Sequence, residues 1–159
     1  MKLVKVEENE INELTELASE IWHEYWPCIL TAEQIDYMVE KFQSKKAIKE
    51  QIKNENYTYY FIKVDNEIAG YVGVSDKKDY LFLSKLYIRK EFRHQGLGRL
   101  AFNEIKNLGF KKIRLTVNKY NKNTINAYLK YGFKTIDSVL SDIGCGFVMD
   151  DYIMEYNHS

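Results

Sequence analysis

The sequence predicts an α/β protein, a mixed sheet sandwiched between helices. Three observations carry that prediction. Strand-like and helix-like stretches follow one another in the order β-α-α-β-β-β-α-β-α-β-β. The apolar run Leu81–Ile88 gives way to a basic loop, two glycines and a helical pattern. A hydrophobic content of 45% over 159 residues suits a single domain, 1–159, with a sizeable core.

Each element has its own warrant. Residues 3–6 alternate like a strand. Ile11, Leu14, Ala18, Ile21, Trp22 and Tyr25 then share one face of a helix that Pro27 stops. Thr31 opens the second helix, its hydroxyl capping the first turn and Gln34 reaching back to complete a capping box. A third helical piece covers residues 45–52. Residues 57–64 and 67–75 are strands joined by an Asp65-Asn66 hairpin turn. After the strand over 81–88, Leu97, Leu100, Ala101, Ile105 and Leu108 mark a helix. A strand over 112–117 and a helix over 123–131 follow. The chain closes with a hairpin, residues 133–143 and 147–156, turning at Gly144-Cys145-Gly146.

Composition narrows the function. A formal net charge of zero argues against general nucleic-acid binding, which needs a basic excess. No apolar run approaches a membrane span, and the N-terminus lacks a signal peptide's apolar stretch. Cys28 and Cys145 are too far apart for a metal spacing or a disulfide framework, so no metal is expected. Both read as free thiols in a reducing, cytoplasmic setting.

The loop between residues 89 and 98 carries the chemistry. Lys85, Arg89, Lys90, Arg93 and Arg99 surround a single acid, Glu91. Gly96 and Gly98 let the backbone come close to a ligand, and the first amides of the following helix are free donors at the positive end of its dipole. That is a phosphate site. A P-loop is excluded, since no Gly-Lys-Ser/Thr follows at the required spacing. Gly96-Leu97-Gly98-Arg99-Leu100-Ala101 fits the dinucleotide fingerprint literally, but the next strand ends in Asn118-Lys119-Tyr120-Asn121, without the carboxylate a ribose needs.

Arg93-x-x-Gly96-x-Gly98 after Leu86-Tyr87-Ile88 resembles the acetyl-CoA loop of the GCN5-related N-acetyltransferases, the GNAT family. Downstream, Asn121, Thr124-Ile125, Tyr128 and Gly132-Phe133 resemble the family's second block. The two motifs together cover roughly residues 81–135, and the closing hairpin is similar to small bacterial polyamine-type members. Thr124 departs from the family's alanine, and Phe82 stands where many members carry a glutamate that helps deprotonate the acceptor. The resemblance implies a mixed, largely antiparallel sheet with strands 4 and 5 splayed apart and helices on both sides. It implies acetyl-CoA as co-substrate and direct attack by a primary amine in a ternary complex.

Carried onto this chain, the amides of Gln95, Gly96, Leu97, Gly98 and Arg99 hold the pyrophosphate, with Arg93 and His94 beside it. Leu86, Tyr87 and Ile88 offer strand-like contacts to the pantetheine arm, and the Ile88 amide polarises the thioester carbonyl. Asn121 either bonds the arm or caps the next helix. Tyr128 is the expected general acid, protonating the departing thiolate. The base is left open among Asp150, Asp151 and Glu24: consecutive aspartates on a strand point to opposite faces, so one of them turns toward apolar neighbours.

The first two helices and the last hairpin would border the acceptor. They carry Trp22, Tyr25, Trp26 and Tyr37, with Glu20, Glu24, Asp36 and Asp142 nearby, surroundings that suit a cationic amine such as a polyamine. Amino acids, aminoglycosides, other small amines and protein N-termini stay open as acceptors, and a homodimer is compatible with the chain. The contrasting reading is a non-catalytic acyl-CoA-binding sensor, a complete loop with a damaged proton path at Phe82.

Overall fold

The computed structural model describes residues 1–158. Its strands are β1 (Lys2–Lys5), β2 (Tyr57–Val64), β3 (Glu67–Asp76), β4 (Leu81–Ile88), β5 (Lys112–Asn118), β6 (Lys134–Gly144) and β7 (Phe147–Asn157). Its helices are α1 (Ile11–Tyr25), α2 (Ala32–Gln43), α3 (Lys45–Asn54), α4 (Leu97–Lys106) and α5 (Lys122–Tyr131). The order matches the sequence expectation except that the helical piece over residues 45–52 is a full third helix before β2, and the boundaries move by one or two residues. Asp65 and Asn66 both adopt positive φ, 51° and 70°, as a tight hairpin turn demands.

The strands form one sheet in the order β1-β2-β3-β4-β5-β7-β6. Every neighbouring pair is antiparallel except β4 and β5. Those two run parallel and pair only at Leu81 with Ile113 and Phe82 with Arg114. Beyond Phe82 they part, leaving a gap in the middle of the sheet.

Two cores flank the sheet. Leu97, Ala101, Phe102 and Ile105 of α4 and Tyr128 of α5 pack on one face. The buried stripe of α1, with Ile35, Met38 and Ile48 from α2 and α3, covers Tyr59, Phe61 and Tyr71 on the other. Beneath α1, Trp22 Nε1 donates to the Tyr71 hydroxyl at 2.7 Å, which donates to Gln43 Oε1 at 2.7 Å.

One irregularity matters for the site. Gly73 pairs with Lys85 but Val74 pairs with Leu83, so Ser84 is an extra residue in β4. A bulge of one residue exchanges the faces of everything after it. Leu81 and Leu83 therefore face the α4 core, as do Leu86 and Ile88 after the bulge, while Tyr87 turns to the α1 side.

The capping box at α2 is only half formed. Thr31 Oγ1 accepts from the Gln34 amide at 3.2 Å, but Gln34 Nε2 donates to the Val148 carbonyl at 3.0 Å. A tertiary bond to β7 replaces the local one. Asn121 is likewise the residue before α5 yet makes no side-chain cap.

Candidate active site

The gap between β4 and β5 opens into a cavity of about 580 Å³ beneath α1 and α3. Leu86 and Tyr87, Leu115 to Asn118, Tyr128 and Asp151 all line it, as do Trp22, Tyr25 and Trp26. The backbone around it is left unpaired by the fold itself. The Arg89 amide donates to Ala69 of β3 at 2.7 Å. Main-chain groups alternate in direction along a strand, so those of Leu86 and Ile88 point the other way, into the gap. Arg93 Nε donates to the Ile88 carbonyl at 2.9 Å, which leaves the Ile88 amide facing the gap.

At the rim, Gly96 takes φ 76° and precedes α4 without any side-chain cap. Nothing lies within 4 Å of where its Cβ would be. His94 also holds a positive φ of 63°, so the loop bends twice before the helix. The amides of the first turn of α4, which carries no acidic residue, are thus open to an anion. His94, Gln95 and Arg99 are exposed around them, while Leu97 is buried and anchors the turn. Gln95 Nε2 donates to the Glu91 carbonyl at 3.3 Å.

Arg93 reaches α1. Its Nη1 lies 2.6 Å from Glu24 Oε1, and its guanidinium sits over the Tyr25 ring, 5.3 Å from the centroid. Arg93 therefore clips the loop to α1. The same contact pairs the Glu24 carboxylate, which does not line the cavity. Glu20 lies 3.1 Å from Arg89, and Asp36 lies 2.6 Å from His23. Asp142 accepts from the Gly144 amide at 2.8 Å, and Tyr37 donates to the Ile143 carbonyl at 2.6 Å. These four groups do not line the cavity.

The consecutive aspartates separate as strand geometry requires. Asp150 lies 2.9 Å from Lys119 at the surface. Asp151 is buried, 7% exposed, and its Oδ1 has no hydrogen-bond partner among the described residues. Burial, followed by the neighbouring Asp150, pushes its carboxyl up to about 6. Tyr128 is buried too, its ring edge-on to Tyr131 and Phe133. Burial, then Tyr25, raises its phenol above the ordinary value, so it stays protonated at neutral pH.

Tyr25 ties the two sides together. Its hydroxyl accepts from Asn121 Nδ2 at 2.6 Å and bonds Thr124 Oγ1 at 2.7 Å. Thr124, the departure from alanine, thus supplies a partner to α1. Phe82 lines the cavity with no carboxylate in its place.

Several lining residues carried no signal that singled them out in sequence. Glu50 and Glu55 come from the exposed side of α3 and its end, and Tyr57 from β2. Lys85 lines the cavity too, although a lysine inside an otherwise apolar strand could have drawn attention.

Residues 29–151 match the Acetyltransferase (GNAT) domain. A protein of Lactobacillus delbrueckii subsp. lactis, described as an uncharacterized N-acetyltransferase in the pepI 3′ region, is 28% identical over 144 residues, 83% of each chain. The spermidine N(1)-acetyltransferase of Thermoplasma acidophilum is 25% identical over 158 residues, 94% of this chain and 96% of its own. In structure, the PaiA N-acetyltransferase of T. acidophilum in complex with coenzyme A superposes with a TM-score of 0.79 at 23% identity, covering 99% of this chain and 98% of that one.

Proposed function

The chain belongs to the GNAT family of acetyl-CoA-dependent N-acetyltransferases, and from that premise we propose that its cavity moves the acetyl group onto a small primary amine by direct attack. One observation supports this most: a buried carboxylate without a partner, Asp151, lines the same cavity as the protonated phenol of Tyr128. The two groups have the opposite protonation states that the reaction needs at its two ends.

The α4 amides after Gly96 bind the diphosphate, and the gap-facing main chain of Leu86 and Ile88 receives the pantetheine arm. An alkylamine of pKa about 10.4 arrives as a cation and must lose a proton before it attacks. Asp151 takes that proton, directly or through water, in the role left vacant at Phe82. The Ile88 amide faces the carbonyl oxygen as negative charge develops there. Tyr128 then protonates the departing sulfur, a step worth roughly 10²–10⁴ in rate. Trp22, Tyr25 and Trp26 supply ring faces for a cationic acceptor. The named activity of the T. acidophilum relative puts spermidine among the acceptors to test. Nothing in the site favours the sensor reading.

Thiol release from acetyl-CoA, measured against a panel of amines, tests the proposal. Acceptor-dependent release that Asp151→Asn and Tyr128→Phe each suppress is expected. Calorimetry that finds no acetyl-CoA binding at millimolar concentration would refute it.

A further inference from the structure

We propose that the acceptor is an amino acid of extended form, with its primary amine delivered to Asp151 and a carboxylate at its far end received by the ammonium of Lys85. This rests on the acetyl-transfer reading above and narrows its acceptor class, against the polyamine option.

Two features of the sheet hold Lys85 in the cavity. Gly73 sits directly opposite on β3. A Cβ at Gly73 would come within 3.1 Å of Lys85 Cγ and 2.8 Å of the Tyr59 ring, so only glycine leaves space for the lysine stem against the sheet. The bulge at Ser84 turns Lys85 to the acceptor side. Lys85 Nζ donates to Ser84 Oγ at 2.6 Å, and the Tyr57 hydroxyl donates to the same oxygen at 2.9 Å.

What the ammonium lacks is a counter-ion. Among the described residues, no carboxylate oxygen lies within 4.0 Å of it. Glu55, exposed at the end of α3, acts on it only through space, and burial lowers its pKa to about 8. Near neutral pH it is still mostly a cation, half-buried and without a counter-ion. Such a charge is costly until an anion joins it. The other cavity lysine, Lys41, already donates to the Ile143 carbonyl. Glu50 and Glu55 line the mouth, where water screens them.

Asp151, buried, and Lys85, half-buried, are therefore the least exposed charges lining the cavity, of opposite sign and on different strands. β5 lies between β4 and β7, β4 and β5 part beyond Phe82, and Asp151 pairs with Asn118, four residues past Arg114, so the two groups stand farther apart than the roughly 10 Å of two strand spacings. Two hydrogen bonds take up about 6 Å and a chain of five or six bonds between amine and carboxylate adds about 6–7 Å, so an extended acceptor of that length spans about 12–13 Å. The single carbon of an α-amino acid is too short. A diamine of the right length would set its second ammonium against Lys85.

Three probes that share one alkyl arm separate these cases: 6-aminohexanoate, hexylamine and 1,6-diaminohexane. Each is offered to the purified wild-type protein with acetyl-CoA at pH 7.5, and thiol release is followed. The expected order of kcat/KM is 6-aminohexanoate, then hexylamine, then 1,6-diaminohexane. The first should exceed the last by at least about tenfold, the size of one charge-assisted hydrogen bond. Lys85→Met should bring the ratio of 6-aminohexanoate to hexylamine close to one, and Lys85→Arg should keep most of it. The proposal is overturned if the diamine is the best probe, or if Lys85→Met leaves the ratio unchanged. It is also overturned if acetyl-CoA binds and none of the three reacts. The wild-type ranking stands even if a variant fails to fold. Failure to bind acetyl-CoA would instead remove the acetyl-transfer reading beneath it.

Discussion

Replacing Asp151 with asparagine should make the protein more stable and less active at once. The carboxyl is raised from 3.8 to about 6 because folding buries it, so its charged form is disfavoured in the native state. At about 1.4 kcal/mol per pH unit, that interval sets an upper bound of about 3 kcal/mol. The cavity admits water to the carboxylate, and screening reduces the figure to roughly 1–2 kcal/mol. For a carboxyl raised on folding, the penalty is absent below pH 3.8, grows as pH rises through about 6, and is complete above it. An asparagine side chain never carries that charge. The variant's melting temperature should therefore exceed wild type by roughly 3–6 °C at pH 8 and match it near pH 4. Turnover should fall by about 10² or more, since the acceptor's proton has no base. Wild-type kcat/KM should itself decline as pH drops below about 6, where Asp151 takes up a proton. Differential scanning fluorimetry at the two pH values, paired with thiol release, reads both effects. A variant less stable than wild type at pH 8, or one that keeps both turnover and the acid limb, would refute the reasoning.

Three further outcomes follow from the same geometry. Tyr128→Phe keeps the ring packed on Tyr131 and Phe133, so its fold and acetyl-CoA affinity should hold while kcat drops by roughly 10²–10⁴; unchanged kcat in steady-state assays removes Tyr128 from the chemistry. Thr124→Ala restores the family's residue but breaks the 2.7 Å bond to Tyr25, which should lower stability by about 1 kcal/mol; equal urea midpoints would show that the bridge contributes nothing. Gly70→Ala should prevent a stable fold, because the new Cβ would collide with the Tyr87 carbonyl oxygen across the β3–β4 ladder; a soluble variant with wild-type far-UV and near-UV dichroism contradicts that.

Local chemistry was legible in the sequence. The Asp65-Asn66 turn, the strand of residues 81–88 and the uncapped helix start at Gly96 each depend on a few adjacent residues, so reading them needed no tertiary information. Asp150 and Asp151 were legible as a pair, because alternation guarantees that they diverge. Which one turns inward depends on where β5 and β6 sit on either side of β7, and sequence does not state that. The carboxylates of α1 misled for a related reason. Glu20 and Glu24 recur at the spacing of a solvated face, yet Arg89 and Arg93 arrive from the loop 69 residues away and claim them. Gln34 shows the same competition, leaving its own helix start for the Val148 carbonyl 114 residues away. A local bond predicted from spacing is lost wherever a distant segment brings a better-placed partner.

Lys85 shows why a single extra residue can hide a site. Uninterrupted alternation through β4 would set Lys85 on the face of Leu81 and Leu83, which is the α4 core, where an ammonium would find no water and no partner. The bulge at Ser84 cancels that outcome by exchanging the faces. It carries Lys85 and Tyr87 to the cavity, and it turns Leu86 and Ile88 back toward the α4 core. Ladder bonds run in the plane of the sheet, so the same two residues still present their main chain to the gap. One insertion thus sets both halves of the proposed site, the wall offered to the pantetheine arm and the charge offered to the acceptor. Removing it would misplace them together, which ties the specificity of the acceptor side to the geometry of the donor side through one residue of β4.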